Sequence, residues 1–287
     1  MKEIKPKEFF EKKAKFVQIS NVPSIKRIRP DSGARKGLDL LNWLDETKYN
    51  FDNDWIWFRT KDRRQRFTKI KRIYKREDLF ALIRLIGAYV SEGCVSSDDL
   101  IFSNNNKEWL KQLSSDIFQI SNGRKGFMFT RKKDNCTNLV IDGKLWYNIF
   151  LDLCGKGSEN KKLPSFIFHI PTKYKIILLK EMIFGDGHEY KTTEKMNYYR
   201  LKEIKRFCYT TISKKLIAQL CFLLKQIKYG RYSISFDRRK NAYNLKSSAY
   251  HMNNIKTYYQ EEEYNNYVYD LTVKDSNMFV DGCGLIL

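Results

Sequence analysis

The sequence is poor in the residues that hold small folds together through metal ions or disulfide bonds. It contains six cysteines and three histidines in 287 residues. No two cysteines form a C-x-x-C pair and none lies close to a histidine: Cys94, Cys136, Cys154, Cys208, Cys221 and Cys283 against His169, His188 and His251. This spacing excludes a zinc framework and the scaffold of a small secreted protein, so we expect buried free thiols.

Long hydrophobic runs are also missing. No apolar segment approaches the roughly 18 residues of a membrane-spanning helix. The first residues, MKEIKPKEFFEKK, lack the apolar core of a signal peptide. We therefore expect no membrane association and an intracellular location, in the cytoplasm or nucleoid.

Positive charge, by contrast, is abundant. The chain has 54 Lys and Arg against 33 Asp and Glu, a net charge of +21. Such an excess favours a polyanionic partner, because phosphate neutralisation dominates affinity for nucleic acids. Residues 59–76 alone hold ten Lys and Arg among aromatic side chains, including Arg63, Arg64 and Arg66. We expect this basic run to bind DNA phosphates.

Two apolar segments each end on a carboxylate that is followed by glycine. In residues 79–93, apolar side chains recur at three- and four-residue steps up to Glu92, which predicts a helix with Gly93 as its left-handed cap. Residues 173–188 repeat this pattern and end on Gly185-Asp186-Gly187. A carboxylate at the negative end of a helix dipole is disfavoured by about 0.3–1 kcal/mol, so both acids need an explanation.

An internal repeat follows the two segments. Residues 102–133 align with 209–240 at an offset of 107, and ten of the 32 positions are identical: Lys107/Lys214, Gln112/Gln219, Leu113/Leu220, Gln119/Gln226, Ile120/Ile227, Gly123/Gly230, Arg124/Arg231, Phe129/Phe236, Arg131/Arg238 and Lys133/Lys240. Each copy predicts a strand, a helix capped by Asn105 or Ser213, and a strand with a basic end. The second copy should hold about 13 extra residues within 188–206.

The strand RYSISF predicts two different faces. Its alternation places Arg231, Ser233 and Ser235 towards solvent or nucleic acid. The same alternation places Tyr232, Ile234 and Phe236 towards a core.

A duplicated chain can pack its two acid-ended helices side by side about a pseudo-twofold axis. Gly87, Ser91 and Gly185 would allow close backbone approach. Glu92 and Asp186 would then meet, with both negative dipole ends beside them. Two carboxylates in that position predict a cation, and a hard oxygen site with open positions suits Mg²⁺. With a polyanionic partner, this predicts metal-assisted phosphodiester hydrolysis.

The two segments LIGAYVSEG (85–93) and LLKEMIFGDG (178–187) resemble the paired motif that names the LAGLIDADG homing endonucleases. NKKLPSFIF before the second motif and YTTISKKLIAQLCFLLKQI after it are similar to the endonuclease domains carried by inteins. The resemblance covers residues 77–260. It implies an α+β fold of tandem αββαββα halves about a pseudo-twofold axis, in a monomer that cleaves double-stranded DNA with Mg²⁺ or Mn²⁺.

The resemblance also implies the site residues. Glu92 and Asp186 correspond to catalytic metal ligands, and Lys161 of KKLP (161–164) to a catalytic lysine that orients water or stabilises transition-state charge. The two sheets would form a basic saddle over the major groove. The DNA contacts expected from the saddle are Arg124, Arg131, Lys133, Arg231, Arg238 and Lys240.

The sequence departs from the family pattern at two places. Glu181 occupies a position where the motif usually has glycine at the helix interface. The lysine expected in the second half is missing from its place, and Lys256 is the nearest candidate.

The ends of the chain resemble a degenerate splicing domain. VYDLTVKDSNMFVDGCGLIL (268–287) is similar to the closing blocks of inteins, although the residues of splicing chemistry are missing. We divide the chain into a basic N-terminal accessory and DNA-binding region with a partial β-rich, splicing-domain-like character (1–76), the first half (77–170), the second half (171–260) and an intein-like β tail (261–287). Two alternatives stay open: a nucleic-acid-binding maturase or regulator, and a splicing-inactive intein fragment, each without cleavage.

Overall fold

The computed structural model describes residues 37–61, 67–133, 135–197, 200–229 and 231–248. These residues form five α-helices and thirteen β-strands in a mixed α+β arrangement. None of the helices in the described ranges is long and apolar enough to cross a membrane.

The first strands build a small N-terminal module. It contains β1 (Leu38–Asp39), β2 (Tyr49–Phe51), β3 (Trp55–Phe58), β4 (Ile70–Lys71) and β5 (Ile73–Tyr74). Strands β2, β3 and β4 form one antiparallel sheet, and β1 pairs with β5. The module is fixed to the first half, since Lys48 Nζ lies 2.6 Å from Asp152 Oδ1 and Asn122 Nδ2 donates to the Phe67 carbonyl at 2.6 Å.

This module corrects part of the expectation for the basic run 59–76. The run includes β4 and β5, and two of its cations form ion pairs inside the protein: Lys71 with Asp78 and Arg72 with Asp39. These cations are used for folding, so the run is not a free phosphate-binding arm throughout. Arg63, Arg64 and Arg66 lie outside the described residues and remain predicted DNA contacts.

Two larger units follow the same order of elements. The first contains α1 (Arg76–Glu92), β6 (Gly93–Ser96), β7 (Asp99–Asn104), α2 (Lys107–Ile120), β8 (Phe127–Thr130), β9 (Thr137–Ile141) and α3 (Lys144–Cys154). The second contains α4 (Thr172–Asp186), β10 (Gly187–Asn197), β11 (Arg200–Thr211), α5 (Lys214–Gln226), β12 (Arg231–Asp237) and β13 (Ala242–Ser248). The sheets have matching orders, β6-β7-β9-β8 and β10-β11-β13-β12. The tandem α+β fold is therefore confirmed.

Local sequence explains how the repeated helices begin. The Ser213 hydroxyl accepts a hydrogen bond from the Leu216 amide at 3.1 Å and caps α5, as expected. In the first half the cap is Asn106, one residue later than the sequence indicated, and its side chain accepts from the Trp109 amide at 3.0 Å. Both caps satisfy a backbone donor that the first helical turn leaves open.

The extra residues of the second half lie where the repeat predicted them. Strands β10 and β11 form a hairpin whose pairs run from Gly187–Tyr209 to Asn197–Arg200. It is much longer than the hairpin of β6 and β7. The additional chain therefore extends a sheet rather than forming a separate element.

The strand pairing shows that the alignment of the two repeat copies shifts by one residue after the helix. In the first sheet Phe102 pairs with Leu139, which pairs with Met128. In the second sheet Tyr209 pairs with Leu245, which pairs with Ile234. Phe102 and Tyr209 are 107 apart but Met128 and Ile234 are 106 apart, and a one-residue slip reverses the faces of a strand. The aligned Phe129 and Phe236 therefore lie on opposite faces of their sheets.

The core expectation for RYSISF is also wrong at two positions. Ile234 is 38% exposed and Phe236 is 46% exposed. They point to the helix-covered side of the sheet, but β12 is an edge strand and α5 packs against β11 and β13. The correct face was predicted, but the helix layer does not extend over the edge.

The two acid-ended helices pack directly against each other at the centre of the molecule. A Cβ atom built on Gly87 would lie 2.7 Å from Glu181 Cβ, and one built on Gly185 would lie 2.2 Å from Ser91 Oγ. Only glycine permits this approach, which confirms the predicted close packing of α1 and α4. Glu181 does not prevent it, because its own Cβ lies against Gly87.

Gly93 does not form the left-handed cap that the sequence suggested. Its φ is −92° and ψ is 154°, so the chain passes from α1 straight into β6. Glycine is needed there for a different reason: a Cβ atom would lie 2.5 Å from Tyr89 Cα.

Candidate active site

The helix pair brings the two predicted acids together. Glu92 ends α1 and Asp186 ends α4, and a Cβ on Gly185 would approach Glu92 Cγ to 2.9 Å. Burial raises the pKa of Asp186, and the nearby Glu92 charge adds to this rise. A surface acid would avoid both a second carboxylate and two negative helix ends, so this placement is unfavourable without a compensating positive charge.

Lys161 lies beside the acids and is almost completely buried, with 9% of its surface exposed. Its ammonium group donates a hydrogen bond to the Ser91 carbonyl at 2.8 Å, in the last turn of α1. The lysine thus supplies positive charge at the negative end of that helix. Its charge also acts on both Glu92 and Asp186.

Residues of the second half hold the Lys161 segment in place. The Ser213 hydroxyl donates to the Lys161 carbonyl at 2.7 Å. The Gln219 side chain forms two bonds with Leu163, accepting from its amide at 2.7 Å and donating to its carbonyl at 2.8 Å. The sequence did not single out these contacts, although Gln219 was one of the identical repeat positions.

Burial sets the protonation equilibria of the site. It raises the pKa of Asp186 to about 6, with the Lys161 charge opposing this and the Glu92 charge adding to it. Asp186 is an exposed residue, so the protein atoms around its carboxyl group remove only part of the surrounding water. Burial likewise raises the pKa of Glu92 and lowers the pKa of Lys161. Each shift disfavours the charged form of its group, as expected where protein atoms replace part of the surrounding water.

Asn104 is a further site residue that sequence analysis missed. Its Nδ2 donates to Glu92 Oε1 at 3.3 Å, while its Oδ1 accepts from the Asn106 amide at 2.8 Å. The second contact fixes which end of the amide faces Glu92. A polar residue at the end of β7, level with the helix cap, was the available signal.

Glu181, which departs from the family motif, has a hydrogen-bond partner on another helix. Glu181 Oε2 accepts a hydrogen bond from Trp109 Nε1 at 2.8 Å, and burial raises the pKa of its carboxyl group. Glu181 therefore joins α4 to α2, away from the pair formed by Glu92 and Asp186.

The predicted DNA contacts lie at the ends of the edge strands. Arg124 precedes β8, and exposed Arg131 and Lys133 follow it. Exposed Arg238 and Lys240 occupy the turn between β12 and β13, and Arg231 begins β12. Binding of DNA by these residues remains a prediction.

The sheet faces that the helices leave open differ between the halves. The first carries Phe127 and Phe129, which are 57% and 45% exposed and stack with centroids 6.2 Å apart. The second carries polar side chains such as Thr210, Asn244 and Lys246.

Other candidate metal ligands are sparse. No cluster of three or more His, Cys, Asp or Glu able to hold a metal ion occurs in the described parts of the chain. The five described cysteines are free, as expected. Cys154 and Cys221 are buried, but Cys94 is exposed, which corrects the expectation that all thiols are buried. Cys283 and Lys256 lie outside the described residues.

Comparison with known proteins gives distant similarities. No family model matches the chain. A DNA polymerase of Pyrococcus horikoshii is 28% identical over 217 residues, covering 73% of this chain and 15% of the polymerase. The DNA polymerase II large subunit of Thermococcus kodakarensis is 26% identical over 224 residues, covering 74% of this chain and 11% of the subunit. The chain thus spans only a small part of the length of these relatives.

Among solved structures, the homing endonuclease I-DmoI in complex with DNA and Mn is similar to this chain. The TM-score is 0.42 at 15% identity, over 60% of this chain and 91% of that chain.

Proposed function

We propose that the protein is a site-specific double-strand DNA endonuclease that hydrolyses phosphodiester bonds with a divalent cation. The observation that carries this proposal is the convergence of Glu92, Asp186 and Lys161 at the paired ends of α1 and α4. A protein that only binds DNA has no need of two crowded carboxylates, which repel phosphate.

The donor set fits a hard divalent cation. Two carboxylates supply oxygen ligands, and because burial raises the pKa of both, a bound cation would favour their ionised forms. Two ligands are too few for a closed protein cage but suit Mg²⁺ or Mn²⁺, which accept water and phosphate oxygens as further ligands. Such a cation would lower the pKa of an attacking water and stabilise negative charge on the phosphate.

The chain's own residues then have distinct tasks. Glu92 and Asp186 would hold the cation, and Asn104 would keep the Glu92 carboxylate in one orientation through its amide donor. Lys161 would orient the attacking water or stabilise charge that develops on the phosphate. The exposed cations Arg124, Arg131, Lys133, Arg238 and Lys240, together with Arg231, would bind the DNA backbone and base edges.

The intein-type origin is part of the proposal. The chain matches only 15% of a much longer polymerase, and such a restricted match is typical of a segment carried within a longer protein. We propose that residues 1–76 and 261–287 descend from a splicing domain and now support DNA binding and packing.

The test is cleavage of DNA from the native insertion locus, with and without Mg²⁺. We expect Glu92→Gln and Asp186→Asn each to abolish cleavage, because each removes a metal ligand. DNA affinity should stay the same or increase, since a negative charge near phosphate is removed.

Glu181→Gln is the matched control for both variants. It changes a third half-buried carboxyl group on the same helix pair but keeps an oxygen to accept from Trp109. This control should retain cleavage. Wild-type protein that binds the DNA but leaves it intact in Mg²⁺ and Mn²⁺ would contradict the proposal, and cleavage by either acid variant would contradict the two-ligand site.

A further inference from the structure

A buried tyrosine hydroxyl lies beside the candidate active site. Tyr209 is 1% exposed, and its hydroxyl has no hydrogen-bond partner among the described residues. Burial of an unpaired hydroxyl is unfavourable, and most buried polar groups in proteins have a partner. The Tyr209 hydroxyl therefore requires a reason to be there.

The strand register places this tyrosine opposite the residue that follows one of the acids. Tyr209 in β11 pairs with Gly187, the first residue after Asp186. Besides burial, the charges of Asp186 and Glu92 both raise the pKa of the Tyr209 phenol, in that order. The phenol is thus neutral and can donate a hydrogen bond, and the charges of both carboxylates act on it.

The first half shows that the hydroxyl is not needed to fill space. Phe102 occupies the equivalent position in β7 and pairs with Gly93, the first residue after Glu92. It is fully buried and packs edge-on against Phe150 with centroids 6.4 Å apart. The two halves differ at this position by a single oxygen atom, beside Asp186 and not beside Glu92.

The same comparison identifies what Asp186 lacks. Glu92 accepts a hydrogen bond from the Asn104 amide. The position equivalent to Asn104 in the second half is Thr211, whose hydroxyl accepts from the Ser213 amide at 3.1 Å. Threonine has no amide to donate, and among the described residues no hydrogen bond to the Asp186 carboxylate is found.

We propose that Tyr209 is a positioning residue for Asp186: its hydroxyl donates a hydrogen bond to a water molecule held between it and the Asp186 carboxylate. This contact fixes the carboxylate that ligates the cation, as Asn104 does for Glu92. The inference rests on the proposed function and adds one residue to its machinery.

The test is Tyr209→Phe, which removes only the oxygen. Without cation, we expect the melting temperature to stay close to that of the wild type, because the hydroxyl bonds only to a water molecule and Phe102 fills the equivalent place in the first half without it. Calorimetric titration of Ca²⁺ into the complex with insertion-locus DNA should show binding that is about 10-fold weaker, the low end for loss of a group that orients a metal ligand. A residue with a purely structural role would not change cation affinity.

Tyr232→Phe is the matched control. The Tyr232 hydroxyl donates to the Cys221 carbonyl at 3.2 Å, so its removal should lower the melting temperature and leave Ca²⁺ affinity unchanged. Equal Ca²⁺ affinity in Tyr209→Phe and wild type would overturn this inference alone, as would a clear loss of stability in Tyr209→Phe. A wild-type complex that binds no cation would overturn both this inference and the proposed function.

Discussion

The two halves of the molecule share a backbone plan but stabilise it differently. In the first half, Arg84 on α1 forms a two-bond ion pair with Asp116 on α2, and Asp116 is 1% exposed. At the equivalent positions of the second half stand Leu178 and Leu223, both fully buried. An ion pair and two leucines can therefore occupy the same place in this fold. The architecture constrains volume and burial at these positions more strongly than it constrains chemistry.

The acids at the helix ends differ in the same way. Glu92 has the Asn104 amide beside it and Lys161 at the end of its helix. Next to Asp186, Gly187 pairs with Tyr209, and Thr211 stands in place of the asparagine. The duplication keeps the place of each acid, while the groups around it have become specific to each half. Functional differences between the halves should therefore follow from side chains, and the following substitutions test this.

The largest effect on stability is expected from breaking the ion pair. Asp116→Leu leaves the half-buried Arg84 guanidinium unpaired, which should lower the free energy of unfolding by about 3–5 kcal/mol. The double variant Arg84→Leu/Asp116→Leu copies the second half and should recover most of that loss. Urea unfolding of the three proteins gives the comparison. A double variant as unstable as the single one would mean that the halves are not interchangeable here.

Lys161 should make the two strands of DNA react at different rates. The lysine contacts the first-half helix end, and no equivalent lysine is found at the corresponding place in the sequence of the second half. We expect a nicked intermediate before linear product, and Lys161→Met should slow one strand by ~10²-fold, within the range for loss of a charged catalytic group. End-labelled strands of one duplex report the two rates separately.

Lys162→Met is the control for this substitution, because it changes the neighbouring lysine. It should leave the ratio of the two strand rates unchanged. Equal strand rates in the wild type, with equal losses in Lys161→Met, would show that the asymmetry of the halves has no chemical consequence.

Much of this organisation could be predicted from the sequence, for identifiable physical reasons. Helical spacing, paired glycines and an internal repeat placed Glu92 and Asp186 at adjoining helix ends, since these features depend on local pattern and close packing. The alignment of the two repeat copies was wrong after the helix. A one-residue difference in strand register there places Phe129 and Phe236 on opposite faces of their sheets. Sequence identity does not record strand register, which the pairing with β9 and β13 decides.

Contacts between distant segments were also out of reach of the sequence. The hydrogen bonds between Gln219 and Leu163, and the pairing of Tyr209 with Gly187, join residues of different elements. Nothing in the local spacing of these residues indicates a partner. The use of Arg72 and Lys71 in ion pairs was hidden for the same reason, because composition alone cannot separate a cation that folds the chain from one that binds phosphate.

DNA binding should be asymmetric because the basic N-terminal module is fixed to the first half. Replacing Arg63, Arg64 and Arg66 together by Gln should flatten the dependence of log K on log salt by up to ~2.7, about 0.9 for each phosphate that is no longer neutralised. Footprinting should show weaker protection on one side of the site only. Arg72→Gln, which removes an ion pair with Asp39, should instead reduce folding stability. An unchanged salt slope in the triple variant would assign these arginines to structure.

The smallest effect concerns the pH dependence of stability in cation-free protein. The Asp186 pKa is raised from 3.8 to about 6 in the folded protein, so folding favours the protonated carboxyl group. Below pH ~4 the Asp186 carboxyl group is protonated in both the folded and the unfolded state, so its ionisation does not reduce the free energy of unfolding. Above pH ~6 it is ionised in both states and the folded state bears the full cost. Stability should therefore fall as pH rises through this window.

Asp186→Asn should remove this dependence, since an amide does not titrate. Thermal melting in a chelator at several pH values should show the wild type losing about a few degrees relative to Asp186→Asn between pH 4 and 6, a small shift because part of Asp186 still contacts solvent. Glu92→Gln should act in the same direction but less strongly, because the Glu92 carboxylate has the Asn104 donor beside it. An equal or larger effect at Glu92 would mean that this donor does not distinguish the two acids. A melting difference that is constant with pH would mean that crowding does not raise the Asp186 pKa, and that the two halves present equivalent carboxylates to a cation.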